Sequence, residues 1–133
     1  MQSNSNFAKS IQPRILLVDD EPDITLPFNI VLEDNGFVVD AFNDPLLALS
    51  SFKQGVYALA LLDIKMPKMN GFELSGEIRR IDDKVKITFM TAFDIKKEDL
   101  KIAVPSLRDE EPRIIRKPIP IDDFVLKVKE DLK

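Results

Sequence analysis

Four polar sites in this chain stand at the ends of apolar runs, and their types together allow phosphoryl chemistry. Ile15-Leu-Leu-Val18 runs into Asp19-Asp20, and Tyr57-Ala-Leu-Ala-Leu-Leu62 runs into Asp63. Val85-Lys-Ile-Thr-Phe-Met90 ends in Thr91, and Arg113-Ile-Ile-Arg116 ends in Lys117. A short apolar run bounded by turn formers reads as a strand buried on both faces. Its carboxyl end lies in the crevice where open α/β sheets place their ligands. Asp63 is then a candidate nucleophile, with Asp19 and Asp20 as candidate ligands of a divalent metal beside it. Crowded carboxylates repel one another, and a hard cation relieves the repulsion. Magnesium fits best, because it takes oxygen ligands and commonly binds one or two carboxylates plus a phosphate.

Beside such an ion Asp63 can attack phosphorus, as aspartyl-phosphate enzymes do. The transferred group spreads its charge over three equatorial oxygens. Magnesium would meet one, Lys117 another, and the Thr91 hydroxyl with nearby backbone N–H groups the third. Lysine suits this place as a flexible point charge. Taken singly, each acidic residue is equally well read as a solvated turn residue; the combination carries the functional reading. It requires the first strand to be central, with the third and fourth beside it. Pro67 and Gly71 read as turn geometry framing Asp63, and Met66, Met69 and Met90 as packing. Lys96, Lys97 and Lys101 read first as a solvated helix face and second as a docking patch.

Composition narrows the field. The chain has 133 residues, 44% hydrophobic and 32% charged, enough for one domain with a real core. With neither cysteine nor histidine, thiolate metal sites, disulfides and the usual general base are excluded. A net charge of −4 gives no global basic field for nucleic acid. Nothing approaches the roughly 20 apolar residues of a membrane span or a signal-peptide core, so the expectation is a cytoplasmic protein that meets no membrane. Residues 1–12 are expected to be a frayed polar lead and residues 13–133 the single domain.

The elements that must position these groups follow from periodicity and punctuation. Strands are expected at Arg14 to Val18, Phe37 to Phe42, before Asp63, Val85 to Thr91, and Arg113 to Arg116. A first helix opens at Glu21-Pro22-Asp23 and stops at Gly36, but Pro27 lies inside it. An interior proline costs about 3 kcal/mol, so a later start or a kink is expected. The second helix opens with Asp44 as N-cap and Pro45 in its first turn, with Leu46, Leu47, Leu49 and Phe52 facing inward and Gly55 ending it. The third spans Gly71 to Ile81 with Phe72, Leu74, Ile78 and Ile81 on its apolar side. The fourth spans about Ile95 to Val104, carried by Leu100, Ile102 and Val104. The last spans about Ile121 to Leu132, with Phe124, Val125, Val128 and Leu132 inward. Alternating strands and helices give an α/β domain: a doubly wound, five-stranded parallel sheet.

These pieces, in this order, resemble the receiver domain of two-component response regulators, a family with a flavodoxin-like (βα)5 fold. The motifs are Ile-Leu-Leu-Val-Asp19-Asp20-Glu21-Pro22, Leu-Leu-Asp63-Ile-Lys-Met66-Pro67-Lys-Met-Asn-Gly71, Met90-Thr91-Ala92 and Lys117-Pro118. The likeness spans about residues 13 to 132. It implies that Asp63 accepts phosphate from a histidine of a sensor kinase or phosphotransfer protein, and that a downstream target reads the change. It implies magnesium on Asp19, Asp20, Asp63 and the backbone carbonyl of Lys65. Thr91 would move toward the phosphoryl group, Lys117 would pair with it, and the bond before Pro118 would be cis. Such a domain promotes its own phosphorylation and dephosphorylation and is not a classical turnover enzyme. The fourth and fifth helices are where members of the family pair into dimers.

Two departures stand out. Ile114 occupies the position, three before Lys117, where the family commonly carries a Tyr or Phe that turns inward on activation. The segment from Ile102 to Arg113 holds Pro105, Asp109, Glu110, Glu111 and Pro112 where small residues are usual, so a distorted fourth helix and a longer loop are expected. These departures keep an alternative open: a non-phosphorylated interaction module with an atypical output surface. A haloacid-dehalogenase-like phosphatase would want a carboxylate at position 65, where Lys stands, and a flavodoxin would want a Ser/Thr/Gly-rich loop where this chain is acidic. No helix-turn-helix or basic arm supports direct nucleic-acid binding. Lys65 and Phe93, each two residues past a site residue, are placed to shield an acyl phosphate from water, which predicts slow self-hydrolysis.

Overall fold

The computed structural model describes residues 12–105 and 112–133. The apolar runs become strands β1 (Arg14–Val18), β2 (Val38–Phe42), β3 (Leu59–Asp63), β4 (Lys86–Thr91) and β5 (Arg113–Arg116). Between and after them come helices α1 (Pro22–Asp34), α2 (Pro45–Ser51), α3 (Gly71–Ile81), α4 (Lys97–Ala103) and α5 (Ile121–Asp131). All pairings are parallel and the order is β2-β1-β3-β4-β5. The doubly wound architecture is as expected. The middle strand is β3, however, with β1 and β4 on either side of it.

Alternation along the strands sorts the core into two layers. Leu16, Val18, Ala60, Leu62, Ile87 and Phe89 face α2, α3 and α4, against Ala48, Leu74, Ile78 and Leu100. Ile15, Leu17, Leu59, Leu61, Met90 and Ile115 face α1 and α5, against Phe28, Leu32, Phe124 and Val128. This is why β3 reads as a continuous apolar run: every residue of it is buried. Phe28 and Phe124 stack with centroids 3.8 Å apart, joining α1 to α5.

Three local expectations need correction. α1 starts at Pro22 with Pro27 inside it, so of the later start and the kink expected there the later start does not occur. Pro27 and Asp23, the residue whose carbonyl loses its helical donor, are both exposed, so water can satisfy the freed oxygen. On α2 the inward residues are Pro45 and Ala48, with Leu49 partly buried, while Leu46 and Leu47 face solvent. On α4 Leu100 is buried and Val104 follows it into the core, but Ile102 is 78% exposed, and the helix is shorter than expected. The longer loop expected before β5 falls largely on residues 106–111, outside those described, as does nearly all of the frayed lead.

The junction between β3 and α3 is fixed by a glycine. Gly71 N–H donates to the Ile64 carbonyl at 2.7 Å, and a Cβ there would overlap the Asp63 carbonyl oxygen and come within 2.9 Å of Ile64 Cα. The neighbouring cap is complete: Asn70 and Glu73 exchange hydrogen bonds as a capping box. Gly71→Ala is expected to cost roughly 1–3 kcal/mol in urea denaturation, because backbone must give way. Gly76 has nothing within 4 Å of its added Cβ, so Gly76→Ala should stabilise by roughly 0.5–1 kcal/mol. Equal effects of the two substitutions would refute the close approach.

Candidate functional site at the carboxyl edge of the sheet

The pleat decides which strand-end side chains meet. Leu17, Leu61 and Ile115 lie in the layer under α1 and α5. Asp19, Asp63 and Lys117 each follow two residues later, so alternation carries all three to that side of the carboxyl edge. Lys117 Nζ donates to Asp19 Oδ2 at 2.9 Å and to Asp63 Oδ1 at 3.0 Å. Asp19 is 0% exposed and Asp63 5%, so both pairings are shielded from water. Thr91 has the parity of Phe89, which faces the other layer. Its hydroxyl accepts the Phe93 N–H at 2.9 Å, a bond that uses an acceptor site and not the hydroxyl hydrogen.

Backbone contacts hold each group in place. The Asp19 N–H donates to the Phe42 carbonyl at 3.1 Å, and Asp19 Oδ1 accepts the Glu21 N–H at 3.0 Å. Asn43 Nδ2 donates to the Asp19 carbonyl at 2.8 Å and to Thr25 Oγ1 at 2.9 Å, tying the end of β2 to both β1 and α1. The Ile64 N–H reaches the Met90 carbonyl at 3.0 Å, and the Lys117 N–H reaches the Thr91 carbonyl at 2.8 Å. The Lys117–Pro118 peptide bond is cis.

The carboxylates gather around Asp19. One ligand oxygen from each of Asp19, Asp20 and Glu21 lies within 4.8 Å of the others. Asp63 is linked to this trio through the shared Lys117 amine. Burial raises the Asp63 carboxyl, the charge of Asp19 raises it further, and Lys117 only partly offsets them, leaving it pushed up to about 6. Burial pulls Lys117 down, but its bonds to Asp19 and Asp63 outweigh that and leave its amine raised. One ammonium thus bonds two carboxylates, with Asp20 and Glu21 close by, and the candidate ligand atoms are all oxygens. That set fits a hard divalent cation such as magnesium.

Glu21 and Asn43 were not legible as site residues. Glu21 reads as a helix opener, which hides its local contact with Asp19, and Asn43 as part of the turn into α2, which hides a contact that only the strand order creates. Lys65 is exposed and its Nζ lies 5.0 Å from the Phe93 ring centroid, a cation–π contact between the loops after β3 and β4. Ile114, half-buried on β5 and paired with Phe89, packs into the layer of Leu100 and Val104.

The model of the response regulator receiver domain family matches residues 15–129. The response regulator receiver protein CpdR of Brucella abortus is 29% identical over 90% of this chain and 96% of its own length. The CpxR homolog of Haemophilus influenzae is 40% identical, but the match covers 59% of this chain and 34% of that protein. The chain likewise spans 49% of the transcriptional regulatory protein RprY of Bacteroides fragilis. Among solved structures, TrrA of Thermotoga maritima in complex with Mg(2+)-BeF is 33% identical, with a TM-score of 0.72 over 90% of this chain and 99% of that one. The complex of the histidine kinase ThkA with TrrA matches at 33% identity and a TM-score of 0.74, covering 92% of this chain and 100% of that one. Among the described residues no helix is long and apolar enough to cross a membrane.

The Asp63 shift sets a pH dependence. A carboxyl raised from 3.8 to about 6 on folding contributes stability that is full below pH 4 and lost as pH rises through 6. In EDTA, Asp63→Asn is expected to stabilise the protein at pH 7 by on the order of 1 kcal/mol and to flatten the pH dependence between about 4 and 6. Urea denaturation at a series of pH values from about 4 to 7 checks it, and a variant no more stable than wild type at pH 7 would contradict it.

Proposed function

The chain belongs to the response regulator receiver domain family, and on that premise we propose that Asp63 is its phosphoacceptor. The observation that carries this reading is the Lys117 amine bonded at once to Asp19 and Asp63 in the crevice at the carboxyl edge. An Asp63 oxygen forms the new P–O bond as the P–N bond to a donor histidine breaks, and the electron pair returns to the imidazole nitrogen. The donor would be a sensor histidine kinase or a phosphotransfer protein.

Asp19, Asp20 and Asp63, with the Lys65 backbone carbonyl, would hold the magnesium, which supplies charge neutralisation at the phosphoryl oxygens. Lys117 keeps its bond to Asp19 and offers its remaining N–H donors to the phosphoryl group. The Thr91 hydroxyl, at the neighbouring strand end, supplies a neutral donor. The product places a group of charge about −2 where a carboxylate stood, and that added charge is the signal a downstream target reads. Ile114 sits in the layer behind Thr91 as an aliphatic side chain, so the readout works through packing without a tyrosine hydroxyl. The Lys65–Phe93 contact supports a second part of the reading, that these side chains shield the acyl phosphate from water.

Incubation with magnesium and acetyl phosphate is expected to add one phosphate by mass spectrometry, and Asp63→Asn or EDTA should abolish the adduct. No adduct would favour the non-phosphorylated interaction module, and an adduct that survives Asp63→Asn would place the chemistry elsewhere. In the same assay Phe93→Ser should shorten the phosphate lifetime severalfold; an unchanged decay would remove the shielding role.

A further inference from the structure

A second charged feature lies at the opposite edge of the sheet. Arg79, Lys84, Lys86, Lys97, Arg113 and Lys127 line a cavity of about 490 Å³, with Val85 and Pro112 completing the wall. Six of the chain's 19 lysines and arginines therefore ring one hollow in a protein of net charge −4. None of the described lining residues is acidic. Asp109, Glu110 and Glu111 precede Pro112 in the chain and lie outside the described residues, so the charge is counted on described side chains alone.

The bases are held by the frame beneath them. Lys86 Nζ donates to the Leu132 carbonyl at 2.8 Å, and Arg79 donates to the Val85 carbonyl. Lys127 pairs with Asp131 at 3.6 Å, and Asp131 in turn accepts a bond from the fully buried Thr88 hydroxyl at 2.8 Å. Each lysine ammonium has three donors, so these anchoring bonds leave N–H groups to point into the hollow. The Lys84, Lys86 and Lys97 amines repel one another across the hollow, and a multivalent anion turns that repulsion into binding energy. The volume falls within the range of about 300–1,000 Å³ typical of small-molecule sites.

We propose that this hollow is a binding site for a compact polyphosphate chain, held by Lys84, Lys86, Lys97 and Lys127. Lysine ammoniums, point charges with three donors each, match closely spaced phosphate groups. Among the described residues no aromatic side chain lines the wall to stack a base, so the phosphate chain itself is the recognised group. Lys86 and Thr91 stand at opposite ends of β4, about 16 Å apart along the strand, which makes this site separate from the acid crevice.

Calorimetric titration of the protein in EDTA at about 0.15 M salt, with inorganic tripolyphosphate and in parallel with ATP, tests the proposal. Tripolyphosphate is expected to bind more tightly than millimolar. The double variant Lys84→Gln, Lys97→Gln alters two exposed side chains and should weaken binding by roughly tenfold with an unchanged melting temperature. Equal affinity for the two probes identifies the free chain as the ligand, and tighter ATP binding identifies a nucleotide's triphosphate. Absence of binding at this salt, or a double variant that binds as wild type does, would overturn the proposal.

Discussion

One ammonium between two buried carboxylates organises the carboxyl edge of this protein. Asp19 and Asp63 come from adjacent strands, and side by side in a shielded crevice their charges would repel by several kcal/mol at an effective dielectric near 20, to judge by roughly 4 kcal/mol for unit charges about 4 Å apart. Lys117 bonds both and so removes part of that cost. It does not remove all of it, because Asp20 and Glu21 add negative charge on the same side. Burial first, and this imbalance second, raise the Asp63 carboxyl. A crevice left net negative in this way favours a hard cation, and the proposed phosphoryl chemistry needs one.

The remaining structure can be read as what keeps three side chains in register. The order β2-β1-β3-β4-β5 puts Asp19 beside Asp63 and leaves Lys117 two strands from Asp63 and three from Asp19, a gap that its four-carbon stem helps to span. The pleat then decides the face, since a shift of one residue in any of these strands would turn its group into the other layer. Asn43 fixes the Asp19 backbone from β2, and the close approach of Gly71 fixes the Asp63 backbone from α3. Neither residue performs chemistry. Both hold the reacting groups within the few tenths of an ångström that hydrogen bonds allow.

How much of this was legible before the fold was seen depends on the range of each interaction. The strands, the Asp44 cap and the glycine after Pro67 follow from local rules, because burial on both faces and capping are written in neighbouring residues. The strand-end groups were legible for the same reason: a carboxylate closing an apolar run is a local anomaly. The face of α2 was misjudged because Leu46 and Leu47 are apolar yet point to solvent, while small Pro45 and Ala48 fill the narrow space against the sheet. Asn43 was missed as a site residue because its contact with Asp19 exists only once β2 lies beside β1, whereas Glu21 meets Asp19 locally and was hidden by its reading as a helix opener. The basic hollow was invisible because its lysines and arginines come from α3, the turn after it, the start of β4, α4, β5 and α5.

The central claim is energetic coupling of Asp63 to Lys117, and a double-mutant cycle on stability measures it directly. Asp63→Asn, Lys117→Gln and the double variant would be compared by urea denaturation at pH 7 in EDTA. The account predicts that Lys117→Gln alone is strongly destabilising, since it strands two carboxylates, and that Asp63→Asn added to it restores at least about 1 kcal/mol more than the same substitution adds to the wild type. Additive effects of the two substitutions would contradict it.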